Sequence, residues 1–205
     1  MGWTDKLNKY LRSRKLRFLL RGQNPDAARV TAAVDEIIDR ARRDERAGVS
    51  KPRWLFDFES SFEVISDAVT RLRDDGETEA YRNIYAKLYA FAEEKMTDSY
   101  MPLYLSVLYR YADARRSAGE TAEALELFEE LYTGTDRLIG VDNPYGIHCL
   151  EEIAKTAALC GRKERTESAL LEMRKIAEEE FGPRSAMAQA VQRIEERLSP
   201  GGAVA

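Results

Sequence analysis

The chain has 205 residues, of which 44% are hydrophobic and 33% charged, with six prolines, twelve glycines and two cysteines. This composition predicts a globular fold of one domain or two small ones, and it excludes collagen-like chains, disordered chains and disulfide scaffolds. No run of about 18 apolar residues occurs, so we expect no transmembrane helix. With so few cysteines and no secretory signal, we expect a cytoplasmic protein.

The net charge of −4 is distributed unevenly along the chain. Residues 1–21 carry seven basic side chains against Asp5, a balance of +6 that leaves −10 for the other 184 residues. We call residues 1–21 the basic arm, and we expect it to contact an anionic surface or the acidic body of the chain itself. Its basic residues are Lys6, Lys9, Arg12, Arg14, Lys15, Arg17 and Arg21.

Helix signals begin after the basic arm, and alternating strand patterns are almost absent. The run Asn24-Pro25-Asp26 combines an N-cap, a first-turn proline and an acid near the helix dipole, and it predicts a helix that ends at Gly48. A second helix opens at Ser50 and ends at Gly76. Its apolar residues recur at steps of three and four, namely Trp54, Phe58, Phe62, Ile65, Val69 and Leu72.

Six further helices are each bounded by a cap, a proline or a glycine. Leu138 and Phe181 are expected in the core, near the ends of two of them. With the basic arm counted, the sequence predicts nine helices, followed by a flexible tail at 199–205. The six helices are predicted after Gly76, from Pro102 to Gly119, from Thr121 to Gly140, from Asn143 to Gly161, from Thr166 to Gly182, and from Ser185 to Leu198.

The glycines that end these helices recur at a nearly fixed interval. Gly76, Gly119 and Gly161 are 43 and 42 residues apart, and Gly140 and Gly182 are 42 apart. Two interleaved series of glycines that share nearly the same spacing indicate an internal repeat built from helix pairs. Each glycine is expected to form a left-handed helix cap.

The residues around the glycines resemble the tetratricopeptide repeat family. Ala112 precedes Gly119, and Ala124 and Phe128 follow it at the spacing of that family's small and aromatic positions. The period exceeds the usual 34 residues, and the linker 140–144 (Gly-Val-Asp-Asn-Pro) is similar to that of the longer-helix variant found in kinesin light chains. A HEAT or armadillo array, with a period of about 40–47 residues, is the alternative.

This resemblance implies an all-α, right-handed α-solenoid of about three helix hairpins. The hairpins and a carboxyl-terminal capping helix would occupy residues 54–198, and residues 22–53 would form an amino-terminal capping helix and linker. In this family the first helix of each hairpin lines a concave groove. Here those positions are Glu63, Ser66, Thr70, Arg73, Tyr109, Asp113, Arg116, His148, Glu151 and Lys155.

Tyr109 is the main candidate anchor in this groove, because rigid amphipathic rings bind well. Tyr81 and Tyr85, one helical turn apart, are expected in the core instead. The lysine and asparagine clamp with which some family members hold chaperone carboxyl termini is not matched, which argues against that partner class.

Catalytic chemistry has little support in the sequence. The only histidine, His148, is adjacent to Cys149, and neighbouring side chains on a helix diverge by about 100°. Cys149 and Cys160 are about 16 Å apart along one helix, too far for a disulfide or a shared metal ion, and we expect both to be buried. Residues 178–180 (Glu-Glu-Glu) are expected to be a solvated helix end. No phosphate loop or zinc spacing occurs, so we expect no enzyme activity, cofactor or metal.

The sequence therefore predicts a non-enzymatic adaptor or scaffold that binds a peptide or protein segment in its groove. Two alternatives remain open: a regulatory or accessory subunit of an enzyme complex, and a scaffold recruited to membranes by the basic arm. A homo-oligomer is also compatible with the sequence. Nucleic acid is disfavoured, because the acidic body would repel phosphates and no second basic stripe extends the arm.

Three acidic residues on the second helix offer the basic arm a surface within the chain. Glu59, Glu63 and Asp67 recur every four residues, a spacing at which like charges cost a few tenths of a kcal/mol per pair. We call these three residues the acidic ridge. Most such ridges are simply solvated, but the arm carries the opposite charge.

We predict that the basic arm packs back on the amino-terminal part of the array, partly through its attraction to the acidic ridge. Deleting residues 1–21 should then lower the melting temperature and increase the binding of a dye that reports exposed apolar surface. An unchanged melting temperature would contradict the prediction.

Flotation with neutral and anionic liposomes tests the membrane alternative, in which only the anionic vesicles would retain the full-length chain.

Overall fold

The structure, a computed structural model, describes residues 26–96 and 100–198. Within these ranges it contains eight α-helices and no strand, so the all-α prediction is confirmed. The basic arm, Asn24 and the tail at 199–205 lie outside the described residues. The N-cap of the first helix is Asp26, whose Oδ1 accepts a hydrogen bond from the Ala28 amide at 2.9 Å, so the prediction of Asn24 as the cap is wrong. The helices are α1 (Ala27–Arg46), α2 (Lys51–Asp74), α3 (Thr78–Met96), α4 (Met101–Ser117), α5 (Thr121–Ile139), α6 (Pro144–Leu159), α7 (Lys163–Phe181) and α8 (Ala186–Leu198).

The chain divides into two compact units at residue 95. In the first unit, α1 packs against α2, and the aromatic residues of α2 reach α3. The Phe91 ring lies with its centroid 5.0 Å from that of Phe58 and 6.1 Å from that of Trp54. Lys87 on α3 also binds Asp35 on α1 at 2.8 Å. The predicted apolar stripe of α2 is buried throughout.

In the second unit, each helix from α4 to α8 packs against the next one along the chain. The short connections make neighbours antiparallel, so α4 with α5 and α6 with α7 form two hairpins. Their shared core includes Leu108, Phe128, Leu150 and Met173, all without exposed surface. The last helix, α8, begins at the predicted cap, where Ser185 Oγ accepts a hydrogen bond from the Ala188 amide at 3.0 Å. Because α8 packs against α7, it covers the end of the second hairpin.

The six helix-ending glycines all have positive φ, between 67° and 92°, but they form two kinds of joint. Inside a hairpin the helix closes tightly, as where the Glu120 amide beyond Gly119 donates to the Arg115 carbonyl at 3.0 Å. Gly140 and Gly182 instead have ψ values of 173° and 149°. The expectation of a left-handed cap is wrong for these two. Their extended ψ leads the chain away from one hairpin to start the next helix.

Three expected core positions differ in the structure. Leu138 is 41% exposed and Phe181 38% exposed, so both predictions of burial are wrong. Both residues lie at the ends of 19-residue helices, which are longer than the 17- and 16-residue helices that precede them in the hairpins. Cys149 is buried as expected, whereas Cys160 is partly exposed because it lies at the C-cap of α6.

The link between the hairpins is held in place at the start of α6. Asn143 Oδ1 accepts hydrogen bonds from the amides of Tyr145 and Gly146, at 2.8 and 3.3 Å, and its Nδ2 donates to the Gly140 carbonyl at 2.9 Å. Gly146 lies so close to the linker that an added Cβ would come within 1.9 Å of the Val141 carbonyl oxygen. Only glycine fits this approach of backbone to backbone.

We predict that Gly146→Ala destabilises the chain, because a backbone oxygen cannot move aside as a side chain can. An overpacked site costs about 1–3 kcal/mol, which would lower the melting temperature by roughly 2–10 °C. Gly134→Ala is the matched control. Its Cβ would meet only the mobile end of Leu105, at 2.5 Å, and the helix-forming gain of alanine offsets part of that contact. Equal thermal stability of both variants in a melting experiment would contradict the prediction.

Candidate functional site

A charged network joins α4 to α6 in the second unit. Arg116 on α4 donates to Asp113 Oδ1 at 2.8 Å, three residues back, and across the junction to Glu152 Oε2 on α6 at 2.6 Å. It also reaches Thr156 Oγ1 at 3.4 Å. Only 18% of the Arg116 side chain and 4% of the Glu152 side chain are exposed. These largely buried charges therefore satisfy one another, as buried charges must.

The network continues along α6 toward solvent. Lys155 Nζ binds Glu151 Oε1 at 2.7 Å and Glu152 Oε1 at 3.0 Å, so one ammonium group bridges two neighbouring carboxylates. His148 Nδ1 lies 4.0 Å from Glu151 Oε2. Helical spacing of three and four residues places these groups on one side of α6.

The protonation of the network follows from these contacts. His148, followed by Lys155, holds the pKa of Glu151 down to about 2, although burial acts in the opposite direction. Burial disfavours the charged form of Lys155, but hydrogen bonds from its ammonium to Glu151 and Glu152 outweigh this effect and raise the pKa of Lys155. Both groups therefore stay charged at neutral pH.

A pair of aromatic rings lies beside the network. The ring centroid of Tyr109 on α4 is 5.5 Å from that of His148 on α6, and 6.0 Å from that of Phe128 in the core. Burial, together with the charges of Glu152 and Asp113, raises the pKa of Tyr109. Tyr109 is half-buried, and 48% of the His148 side chain is exposed. The pair thus presents a partly apolar, partly polar surface.

The structure brings six of the predicted groove residues together at this junction. The sequence did not single out Glu152, which is 3% exposed and accepts from both Arg116 and Lys155. Its position, four residues after His148 and three before Lys155, was the signal that could have found it. We call the following set the α4/α6 network: Tyr109, Asp113, Arg116, His148, Glu151, Glu152 and Lys155.

The other predicted groove residues belong to α2, in the first unit. Glu63 is exposed, Ser66 is buried, and the Thr70 hydroxyl donates to the Ser66 carbonyl at 2.8 Å. Arg73 binds Asp74 at 3.0 Å and lies 5.7 Å from the centroid of the Tyr81 ring. The role of these residues in a groove stays a prediction. Tyr81 and Tyr85 are buried in the core, as expected.

The same region contains a set of metal-ligand atoms and a buried thiol. His148, Glu151 and Glu152 offer ligand atoms that lie within 4.8 Å of one another. Lys155 already bonds both carboxylates and Arg116 bonds one, so cations of the chain itself neutralise this group.

Burial raises the pKa of Cys149, which contacts Thr135 Oγ1 at 3.7 Å, so its thiolate is disfavoured.

None of the described helices combines the length and the hydropathy needed to span a bilayer. No protein-family model matches the chain, and no curated protein does either.

Solved structures of helical repeat proteins are similar to the chain. BtubC (BKLC) from P. vanneervenii gives a TM-score of 0.60 at 16% identity, covering 84% of this chain and 65% of BtubC. A Podosopora anserina putative kinesin light chain with nearly identical TPR-like repeats gives 0.61 at 15% identity, covering 82% and 86% of the two chains. A form of that protein with one substitution gives 0.62 at 15% identity, covering 97% and 87%. The chain has a TPR-like helical-repeat fold.

This likeness favours the tetratricopeptide prediction over the HEAT or armadillo alternative. The chain spans 65% of the length of BtubC. Within the TPR-like fold, α4 and α6 are the first helices of successive hairpins. The α4/α6 network therefore lies on the layer of helices that the sequence resemblance assigned to the groove.

We predict that Arg116→Met strongly destabilises the second unit, because Asp113 and Glu152 would lose the cation that binds both. Removing one partner of a buried pair costs about 3–5 kcal/mol, and urea unfolding would show the loss as a lower midpoint. The double variant Arg116→Met with Glu152→Gln should recover part of it. The control is Lys163→Met, whose exposed pair with Glu167 should contribute less than about 1 kcal/mol. Equal losses in the two single variants would contradict the prediction.

Proposed function

We propose that the chain is a non-enzymatic adaptor or scaffold that binds a peptide or protein segment across α4 and α6. The observation that carries the proposal is the contact between Tyr109 and His148, two partly exposed rings supplied by successive hairpins. Rings of this kind are common anchors in protein interfaces. The TPR-like fold supports a role in protein interactions in general.

The network beneath the rings supports binding because it holds them in place before a partner arrives. Arg116 fixes α4 to α6, and Lys155 and Glu151 fix the surroundings of His148. A surface that is already ordered loses little conformational entropy on association, so more of the contact energy appears as affinity. The charges of the network are also mutually satisfied. We therefore expect them to support the two rings and to influence which partner binds, rather than to take part in a reaction.

The alternative of an accessory enzyme subunit uses the same surface, with an enzyme as the bound partner. The membrane-recruited scaffold depends on the basic arm instead. We favour the α4/α6 surface because two partly exposed rings from successive hairpins, Tyr109 and His148, contact each other there beside a network of charges. Both cysteines are free thiols, which fits action in the reducing cytoplasm.

Affinity purification with mass spectrometry would identify the partner, and calorimetry would then measure its affinity for variants. We expect Tyr109→Ala and His148→Ala each to weaken binding about tenfold, because each truncation removes one ring of the pair. Arg116 is a poor binding probe, because its substitution tests stability. Lys175→Ala, at an exposed position on α7, is the control and should bind normally.

Circular dichroism must show that the variants keep their helical content. If both ring variants bind the partner within about twofold of the unchanged chain, the partner uses another surface and the proposal fails.

A further inference from the structure

Four large apolar side chains are exposed at one edge of the second unit. The part of the chain that the structure describes exposes six such side chains in all, so most of them are concentrated here. Ile139 is 54% exposed and Tyr145 69%, compared with 41% for Leu138 and 38% for Phe181. We call these four residues the apolar edge.

The topology of the hairpins brings the four residues to the same edge. α5 ends at Ile139, and Tyr145 follows six positions later in the first turn of α6. Because α7 packs antiparallel to α6, its last residue, Phe181, lies at the edge where α6 begins. Ile139 and Phe181 are 42 residues apart, and each directly precedes a joint glycine. They therefore occupy the same position in successive hairpins.

A cluster of this kind differs from single exposed apolar residues. Leu159 and Leu171 are exposed singly, which is normal on a protein surface and needs no explanation. Four apolar side chains at the ends of three adjoining helices form a patch, and patches bordered by polar residues mark interaction sites. The α4/α6 network lies on the first helices of the hairpins, whereas three of these four residues end the second helices. The apolar edge is thus a separate surface.

The charges that border the apolar edge are mainly acidic. Residues 136–145 contain two carboxylates and one arginine, and residues 178–185 contain three carboxylates and one arginine, which gives a balance of −3. All five carboxylates are exposed, and no salt bridge of the described residues includes any of them. They belong to Asp136, Asp142, Glu178, Glu179 and Glu180.

The positions of these carboxylates favour a cation from another molecule. The last turn of α7 contains three glutamates and no basic residue, although the carboxyl end of a helix dipole is negative. At the end of α5, burial, the hydrogen bond to Glu172 and the charges of Asp136 and Asp142 raise the pKa of Tyr132. Both of these charges therefore act at the joint between the hairpins. A basic partner would offset the repulsion among these groups.

We infer that the apolar edge binds a basic amphipathic helix of another protein. Side chains of α5 and α7 contact each other, and helices in such contact lie about 10 Å apart, which sets the spacing of Ile139 and Phe181. Seven residues of a helix cover about 10.5 Å and return to the same face. An extended segment covers this distance in about three residues, and an odd number places the side chains on opposite sides. The spacing therefore favours a helix.

Two other occupants fit the edge less well. A second copy would bring together two edges that each have a charge balance of −3, and like charges repel. The basic arm has the required charge, but it is predicted to pack on the amino-terminal part of the array. The partner is therefore a segment of another protein.

A displayed library of random peptides of about 18 residues tests this inference. The library is selected on the full-length chain and depleted on the double variant Ile139→Ser with Phe181→Ser. We expect the surviving sequences to carry apolar residues at steps of three, four and seven, with lysine or arginine beside them. Circular dichroism should show that synthetic peptides of the consensus become helical on binding. Calorimetry should show an affinity loss of about tenfold on each single serine variant. Leu171→Ser is the matched control and should bind normally.

Charge reversal tests the acidic border. Asp136→Lys with Glu180→Lys should weaken the same peptides at least tenfold, because two attractions become repulsions. Both positions lie near the carboxyl end of a helix, where lysine is well tolerated, so the variant should keep its melting temperature. The control is Glu126→Lys, at an exposed position about 15 Å from Asp136 along α5, which should leave the affinity unchanged.

Several outcomes would overturn the inference. They are a selection in which no peptide survives depletion, an acidic or extended consensus, and an affinity that depends on only one of Ile139 and Phe181. A synthetic peptide of residues 1–21 that binds and loses affinity on Ile139→Ser would assign the edge to the basic arm instead. Self-association in sedimentation equilibrium that is lost on Phe181→Ser would assign it to a second copy. None of these outcomes affects the proposed function, which depends on Tyr109 and His148.

Discussion

The bond between Arg116 and Glu152 is the interaction on which the second unit's candidate site depends. Helices within a hairpin pack through apolar side chains, but α4 and α6 come from different hairpins and are joined here by a buried ion pair. An apolar contact of the same size would tolerate sliding, whereas a guanidinium bonded on both sides requires one register. The charges at this junction thus contribute orientation, and the apolar core contributes most of the stability.

The opposite layer of the second unit is held together in a similar way. On α5 and α7, the second helices of the two hairpins, Arg165 Nε donates to Glu129 Oε1 at 2.7 Å, and the Tyr132 hydroxyl donates to Glu172 Oε1 at 2.7 Å. Burial and Glu172 raise the pKa of Tyr132, so this hydroxyl remains a donor at physiological pH. Polar contacts therefore connect the hairpins on both layers, and the angle between them is fixed from two sides.

Much of this architecture follows from the sequence, because the residues that end a helix lie next to that end in the chain. The glycines with positive φ mark the helix limits, and the apolar spacing on α2 identifies the buried face from Trp54 to Leu72. The exposure of Leu138 and Phe181 could not be read in this way, because it depends on how far a helix extends beyond its partner. The two kinds of glycine joint also depend on ψ, which composition does not reveal.

The candidate site was predictable in outline but not in detail. The resemblance to tetratricopeptide repeats named Tyr109, Arg116 and His148, and the structure brings them together. The resemblance could not show that the Arg116 guanidinium is already engaged in ion pairs within the chain. Its partner Glu152 belongs to the next hairpin, and pairing between hairpins depends on how they pack. The burial of a charge is a property of the assembled chain.

The similarity of the two extended joints has an evolutionary consequence. Gly140 and Gly182 are 42 residues apart and share a positive φ and an extended ψ, so the chain leaves each hairpin in nearly the same direction. A duplicated block cut at these two glycines would rejoin without new joint geometry, provided that α8 stayed last to cover the exposed end. The fold can therefore lengthen by whole hairpins, each adding a fresh helix face on which a new specificity can arise.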